Sequence, residues 1–150
     1  MTTGRPPSRR HTLAGLAAAG GFARTLPTMI PTPIRPTGVS YAQASLVQAP
    51  QRWLFVSGQV PTDAAGVTPD GFEAQCRLVW RNVEAQLAAG GMSRANLVKV
   101  TIFLSDRAHR AANTAIRHEV LGDISPALTV IITGIFDEAW LLEIEAIAAA

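Results

Sequence analysis

Cysteine is almost missing from this chain: Cys76 stands alone among 150 residues, so no disulfide can close within it. Its spacing from Phe72, Val79 and Val83 puts it on the apolar face of a helical pattern, where it reads as a small buried hydrophobe and not as a nucleophile. Charge is scarce as well. Asp, Glu, Lys and Arg make up 16% of residues, where about 25% is ordinary. Hydrophobic residues reach 48%, enough for a real core. A chain this apolar buries more than one monomer's core, which favours an oligomer. No apolar run is long enough to anchor in a bilayer; Ala14–Ala23 is short and rich in Gly and Ala. Metal-ligand spacing is absent, because His11, His109 and His118 are dispersed and far in sequence from Cys76. No phosphate-cradling glycine loop occurs, since Gly90-Gly91 follows a helix instead of opening one. There is no G-x-S-x-G, no internal repeat and no low-complexity segment within the domain.

The charge that is present is unevenly placed. Residues 1–40 carry Arg5, Arg9, Arg10, Arg24 and Arg35 with no acid, a net of +5. Residues 41–150 hold eight Lys/Arg against eleven Asp/Glu, a net of −3. The basic pI of about 9.3 thus belongs to the tail. The folded part offers no basic stripe for a nucleic acid. Ser8-Arg9-Arg10-His11-Thr12-Leu13, then Ala14–Ala23, has the order of a twin-arginine secretory leader. It implies export to the periplasm, with no membrane attachment in the mature form. A basic extension on a cytoplasmic protein is the alternative. Pro27, Pro31, Pro33 and Pro36 exclude a helix or a central strand, and the expected boundary is 1–40 leader, 41–150 domain.

From Tyr41 the patterns alternate. Trp53–Ser57 is aromatic and β-branched, a strand ended by Gly58. Phe72, Cys76, Val79, Val83 and Leu87 predict a helix from Phe72 to about Ala89, stopped by Gly90-Gly91. Asn96–Leu104 alternates as a strand. Ser105-Asp106 caps a helix over Arg107–Leu121 whose apolar side is Ala108, Ala112, Ile116 and Val120. Thr129–Thr133 and Leu141–Ala148 are the last strands. The order β, α, β, α, β, β predicts an α+β domain with its helices packed on one sheet face. The other face needs cover, and subunit association supplies it.

In the final strand, period two puts Glu143 and Glu145 on one face with Leu141 and Ile147. Two neighbouring carboxylates repel. Burial would raise at least one pKa and suit proton transfer, whereas a solvated face would make the pair plain surface. Pattern alone leaves both readings open.

Further residues fall in a telling order: Tyr41-Ala42-Gln43-Ala44, Leu54–Pro61 with Ser57-Gly58-Gln59, Glu73-Ala74-Gln75, Asn82-Val83, Val98–Leu104, Asn113, Pro126-Ala127 and Glu143–Ala148. By these the chain resembles the YjgF/RidA family of enamine/imine deaminases over Tyr41–Ala148. The resemblance implies a chorismate-mutase-like fold, with a mixed sheet and two helices on one face, assembled as a homotrimer. It implies small-molecule clefts between subunits and hydrolysis of 2-imino or enamine acids to 2-keto acids and ammonia without a cofactor. It further implies that Glu143 is the catalytic carboxylate that places water. Tyr41, Ser57 and Gly58 would then line the substrate cleft.

One position departs from the family pattern. The arginine that grips the substrate carboxylate normally follows Pro-Ala, and here Leu128 follows Pro126-Ala127. A charged hydrogen bond is worth ~1.5–3 kcal/mol, so a standard imino acid should bind weaker by roughly a hundredfold or more. Leu128, with Trp140, points to a more apolar cleft. Arg52, Arg107 and Arg117 are candidate replacement cations, but nothing in the sequence places them there. Three readings are open. The protein hydrolyses an imine, enamine or related molecule lacking the usual carboxylate; it binds a ligand without catalysis; or it is an imino-acid deaminase with a relocated cation.

Overall fold

The computed structural model describes residues 29–150. The arginine pair and the apolar stretch read as a leader lie outside the described residues.

Six strands and two helices build the domain. In chain order they are β1 (Thr32–Pro36), β2 (Ala42–Leu46), β3 (Trp53–Gln59), α1 (Phe72–Ala89), β4 (Leu97–Leu104), α2 (Arg110–Leu121), β5 (Ala127–Ile132) and β6 (Leu142–Ala149). They form one sheet in the order β1-β2-β5-β4-β6-β3. β5 runs parallel to β2 and β4, and the remaining pairs are antiparallel, so the sheet is mixed. Helix α1 packs on β6 and β3, with α2 beside it.

The alternation of β4 and β6 decides which face is core. Val100, Ile102 and Leu104 of β4 and Leu142 and Ile144 of β6 are fully buried beneath Val79, Val83 and Leu87 of α1. Each such side chain contributes about 1.5–3 kcal/mol on burial. Cys76 lies in this core, and burial pushes its thiol up to about 12. Lys99, Thr101 and Phe103 of β4 and Glu143 and Glu145 of β6 take the opposite, open face.

Four expectations need correction. The sheet begins at Thr32, ahead of Tyr41. β1 is an edge strand, where Pro33 and Pro36 are tolerated because one side of the strand needs no ladder partner. β3 does not stop at Ser57 but continues through Gly58 to Gln59. Asp106 does cap, accepting from Ala108 N at 2.7 Å, but it opens one 3-10 turn, Arg107–His109, before α2 starts at Arg110. That turn winds at about three residues per turn, so Ala108 within it does not continue the α-helical stripe. Of the expected apolar side, Ile116 is buried and Ala112 and Val120 pack partly buried against the core, while Ala108 is exposed; Asn113, Arg117 and Leu121 are buried as well. Finally, Trp140 tilts against Phe136 at 6.3 Å and is not a neighbour of Leu128 in a common pocket.

Candidate functional site

Tyr41 sits where β1 turns into β2. Ser40 before it is buried and left-handed, with φ 55°, a conformation that costs a non-glycine residue energy and survives only where its surroundings enforce it. Thr37 holds the turn: its N–H and its hydroxyl both donate to the Tyr41 carbonyl, at 3.0 and 2.9 Å. Ala42 N then donates to Pro126 O at 3.0 Å, and Ala42 stands opposite Ala127. The Pro126-Ala127 phrase thus joins β2 to β5 and brings Leu128 to Tyr41.

Leu128 pairs with the fully buried Val100, so it faces the helices. Leu128, Tyr41 and Val130 line a pocket of about 420 Å³, closed on its other side by Arg110, Asn113 and Arg117 of α2. Arg117 is 4% exposed. Its Nη2 donates to Val39 O at 3.3 Å, and its guanidinium lies 6.0 Å from the centre of the Tyr41 ring. Burial lowers its pKa from the ordinary arginine value, and Tyr41 partly offsets that. Of the candidate replacement cations, Arg52 is spent on Gly90 O at 3.1 Å and Arg107 is exposed outside this pocket. Only Arg117 of the three reaches the pocket.

Ser57, Gly58 and Glu143 lie elsewhere, around β3 and β6. Val56 stands opposite Ala146 and Gln59 opposite Ile144, so Ser57 and Gly58 together face Glu145 alone. This is a β-bulge, which bends the strand and re-aims what it carries. Gly58 is packed on the Glu143 carboxylate. A Cβ added to Gly58 would overlap Glu143 Oε1 and come within 2.6 Å of its Cδ. Glu143 is half-buried and Glu145 exposed. Glu145 and Ser57 share a second, open-face hollow of about 270 Å³ with Lys99 and Thr101.

The site residues therefore form two patches. Leu128 and Glu143 occupy opposite sheet faces, on strands separated by β4. At about 4.8 Å per strand step, those strands are roughly 10 Å apart, with the sheet between the side chains. A small ligand on one chain reaches one patch and not the other. Among the described residues no cluster of His, Cys, Asp and Glu could hold a metal, and no helix is long and apolar enough to cross a membrane.

Asn113, which stands among the family-like residues, and Arg117, a candidate replacement cation, are the pocket residues that the apolar stripe of the helix did not mark. Their signal was a pair of polar residues four apart beside Ile116 and Leu121, which a one-sided apolar stripe overlooks.

The family model described as Endoribonuclease L-PSP matches residues 35–150. A RutC family protein of Pyrococcus horikoshii is 33% identical over 120 residues, covering 79% of this chain and 90% of that protein. TdcF of Escherichia coli K12, named as a candidate reactive intermediate deaminase, is 37% identical over 54 residues, 35% of this chain and 42% of its own. Among solved structures, YyfB of the Rid family from Yersinia pestis superposes with a TM-score of 0.72 at 25% identity, covering 81% of this chain and all of that one. RidA from the Antarctic bacterium Psychrobacter sp. PAMC 21119 gives 0.63 at 27%, covering 82% and 99%. The chain belongs to the YjgF/RidA family.

Proposed function

We propose that the protein assembles as a homotrimer whose clefts between subunits bind a small molecule and hydrolyse an imine, an enamine or a related C–N bond. The observation that carries this is the division of the site. The Tyr41–Leu128 patch and the Ser57–Gly58–Glu143 patch sit on opposite faces of one sheet. Apposing the first patch of one subunit to the second patch of its neighbour would supply both walls. Exposed apolar groups on the open face, Phe55 at 72% and Ile131 at 43%, favour such packing.

Chemistry in that cleft would fall to Glu143. A half-buried carboxylate lying against the Gly58 backbone is placed to hold a water for attack on an imine carbon. The water adds to carbon, the C–N bond breaks, and ammonia leaves with a carbonyl product. No cofactor is needed for that hydrolysis. The net of −3 over residues 41–150 gives an RNA backbone little attraction, so the reading stays with small molecules.

The test is ammonia release from 2-iminobutanoate generated in situ. Wild-type protein should exceed the buffer rate, and Glu143→Gln should lose roughly 10²–10⁴ of that acceleration. A wild-type rate equal to buffer overturns hydrolysis of this substrate and favours a binding-only protein, the reading that Leu128 supports.

A further inference from the structure

We propose that Arg117 is the anion-anchoring residue of the Tyr41–Leu128 pocket, supplying from helix α2 the positive charge that strand β5 lacks, and that the pocket takes a small molecule bearing a carboxylate. This rests on the small-molecule reading of the cleft.

A guanidinium presents five N–H donors and stays charged, so burial demands partners. Arg117 is 4% exposed yet has no carboxylate partner among the described residues. The ion pairs there are Arg77–Glu119 and Arg94–Glu84. Its hydrogen bond to Val39 O is long at 3.3 Å, and its Nε has no acceptor. Fastening the Val39–Tyr41 turn would use Nη2 and the flat face over the Tyr41 ring. That role leaves Nε–H buried and unanswered, which is costly for a charged group.

Asn113 lies one turn earlier on the same helix face. It is 1% exposed, it lines the same pocket, and its Oδ1 is also unpaired. Arg110 adds a second positive charge to the lining, and no Asp or Glu lines the pocket to answer it. The walls therefore hold a buried charged donor and a buried acceptor, with neither complement present. A carboxylate oxygen answers Arg117, and an amine, imine or hydroxyl hydrogen on the same molecule answers Asn113. Leu128 and Val130 make the rest of the wall apolar, and low local polarity strengthens a charged pair. Leu128 then does not abolish acid binding. It moves the grip from the strand to the helix, and the ligand's carboxylate turns toward α2.

The experiment titrates the full chain with 2-oxobutanoate, with its methyl ester and with inorganic phosphate, using calorimetry. The ester keeps the size and removes the charge. Wild type should bind the acid at least about tenfold tighter than the ester. Arg117→Met should erase that preference, bringing the acid-to-ester ratio to about one, and Arg117→Lys should restore part of it. A role confined to fastening the turn predicts equal acid-to-ester ratios in all three proteins. Equal binding of acid and ester by wild type overturns the anchor and leaves the cleft standing. Binding of neither overturns the anchor together with the cleft reading. Phosphate competing as well as 2-oxobutanoate overturns the carboxylate class. Circular dichroism and light scattering report folding of the variants. If Arg117→Met does not fold, the wild-type ratio and Arg117→Lys decide.

Discussion

Gly58 matters through the side chain it does not have. The space a methyl group would occupy there holds Glu143 Oε1. Alanine at this position is compatible with a strand, and the group it displaces is the free end of a flexible side chain. Gly58→Ala is therefore expected to leave the thermal midpoint nearly unchanged and to push the Glu143 carboxylate away. Ammonia release should fall to the level of Glu143→Gln. Wild-type turnover in Gly58→Ala, measured beside an inactive Glu143→Gln, would show that this contact does not place the acid. Strand alternation put Glu143 and Glu145 on one face from the sequence and left open whether that face was buried or solvated. The bulge that brings Gly58 onto it was not legible, because a register jump is a property of two paired strands and leaves no local mark. Arg117 was legible only as a name among several arginines. Its pocket exists because residues 39–41, α2 and β5 converge, contacts far apart in the chain.

Between elements, buried amides act as clamps. Gln75 of α1 is 3% exposed; its Nε2 donates to Pro69 O at 3.0 Å and Ala139 O at 2.9 Å, while its Oε1 accepts from Leu141 N at 2.8 Å. Asn96 similarly donates to Met29 O and Ala149 O, both at 3.1 Å. Gln75 fixes the loop that feeds β6, two residues before Glu143. Gln75→Leu keeps the bulk and strands three backbone groups, so a loss of about 1–3 kcal/mol is expected in urea unfolding. Hydrogen exchange at the Leu141 amide should quicken along with it. Unchanged protection at Leu141 would remove the clamp. The long periodic elements, α1 and β4, could be read within a residue or so of their ends, since burial of one face dictates their spacing. β1 and β2 could not. β1 is a short edge strand carrying two prolines, β2 beside it is only five residues long, and both are exposed along most of their length, so hydrophobic alternation leaves little trace in them.

For the molecule as a whole, the open sheet face sets the terms. Phe55, Trp53 and Ile131 stand exposed on a chain with few charges to keep it apart from its copies. Light scattering should find one species at three times the 15.9 kDa chain, and a monomer at micromolar concentration would dissolve the shared cleft. The split of the site across two faces has a genetic consequence. In the proposed trimer, a subunit crippled at one patch would remain a competent donor of the other. Tyr41→Ala and Glu143→Gln chains, each inactive alone, would complement when unfolded together and allowed to reassemble. A mixed ring would hold one cleft with both faces native, so random reassembly should restore about one cleft in four. In a cell carrying two damaged alleles, the same arithmetic would make the pair partly functional where either allele alone is null.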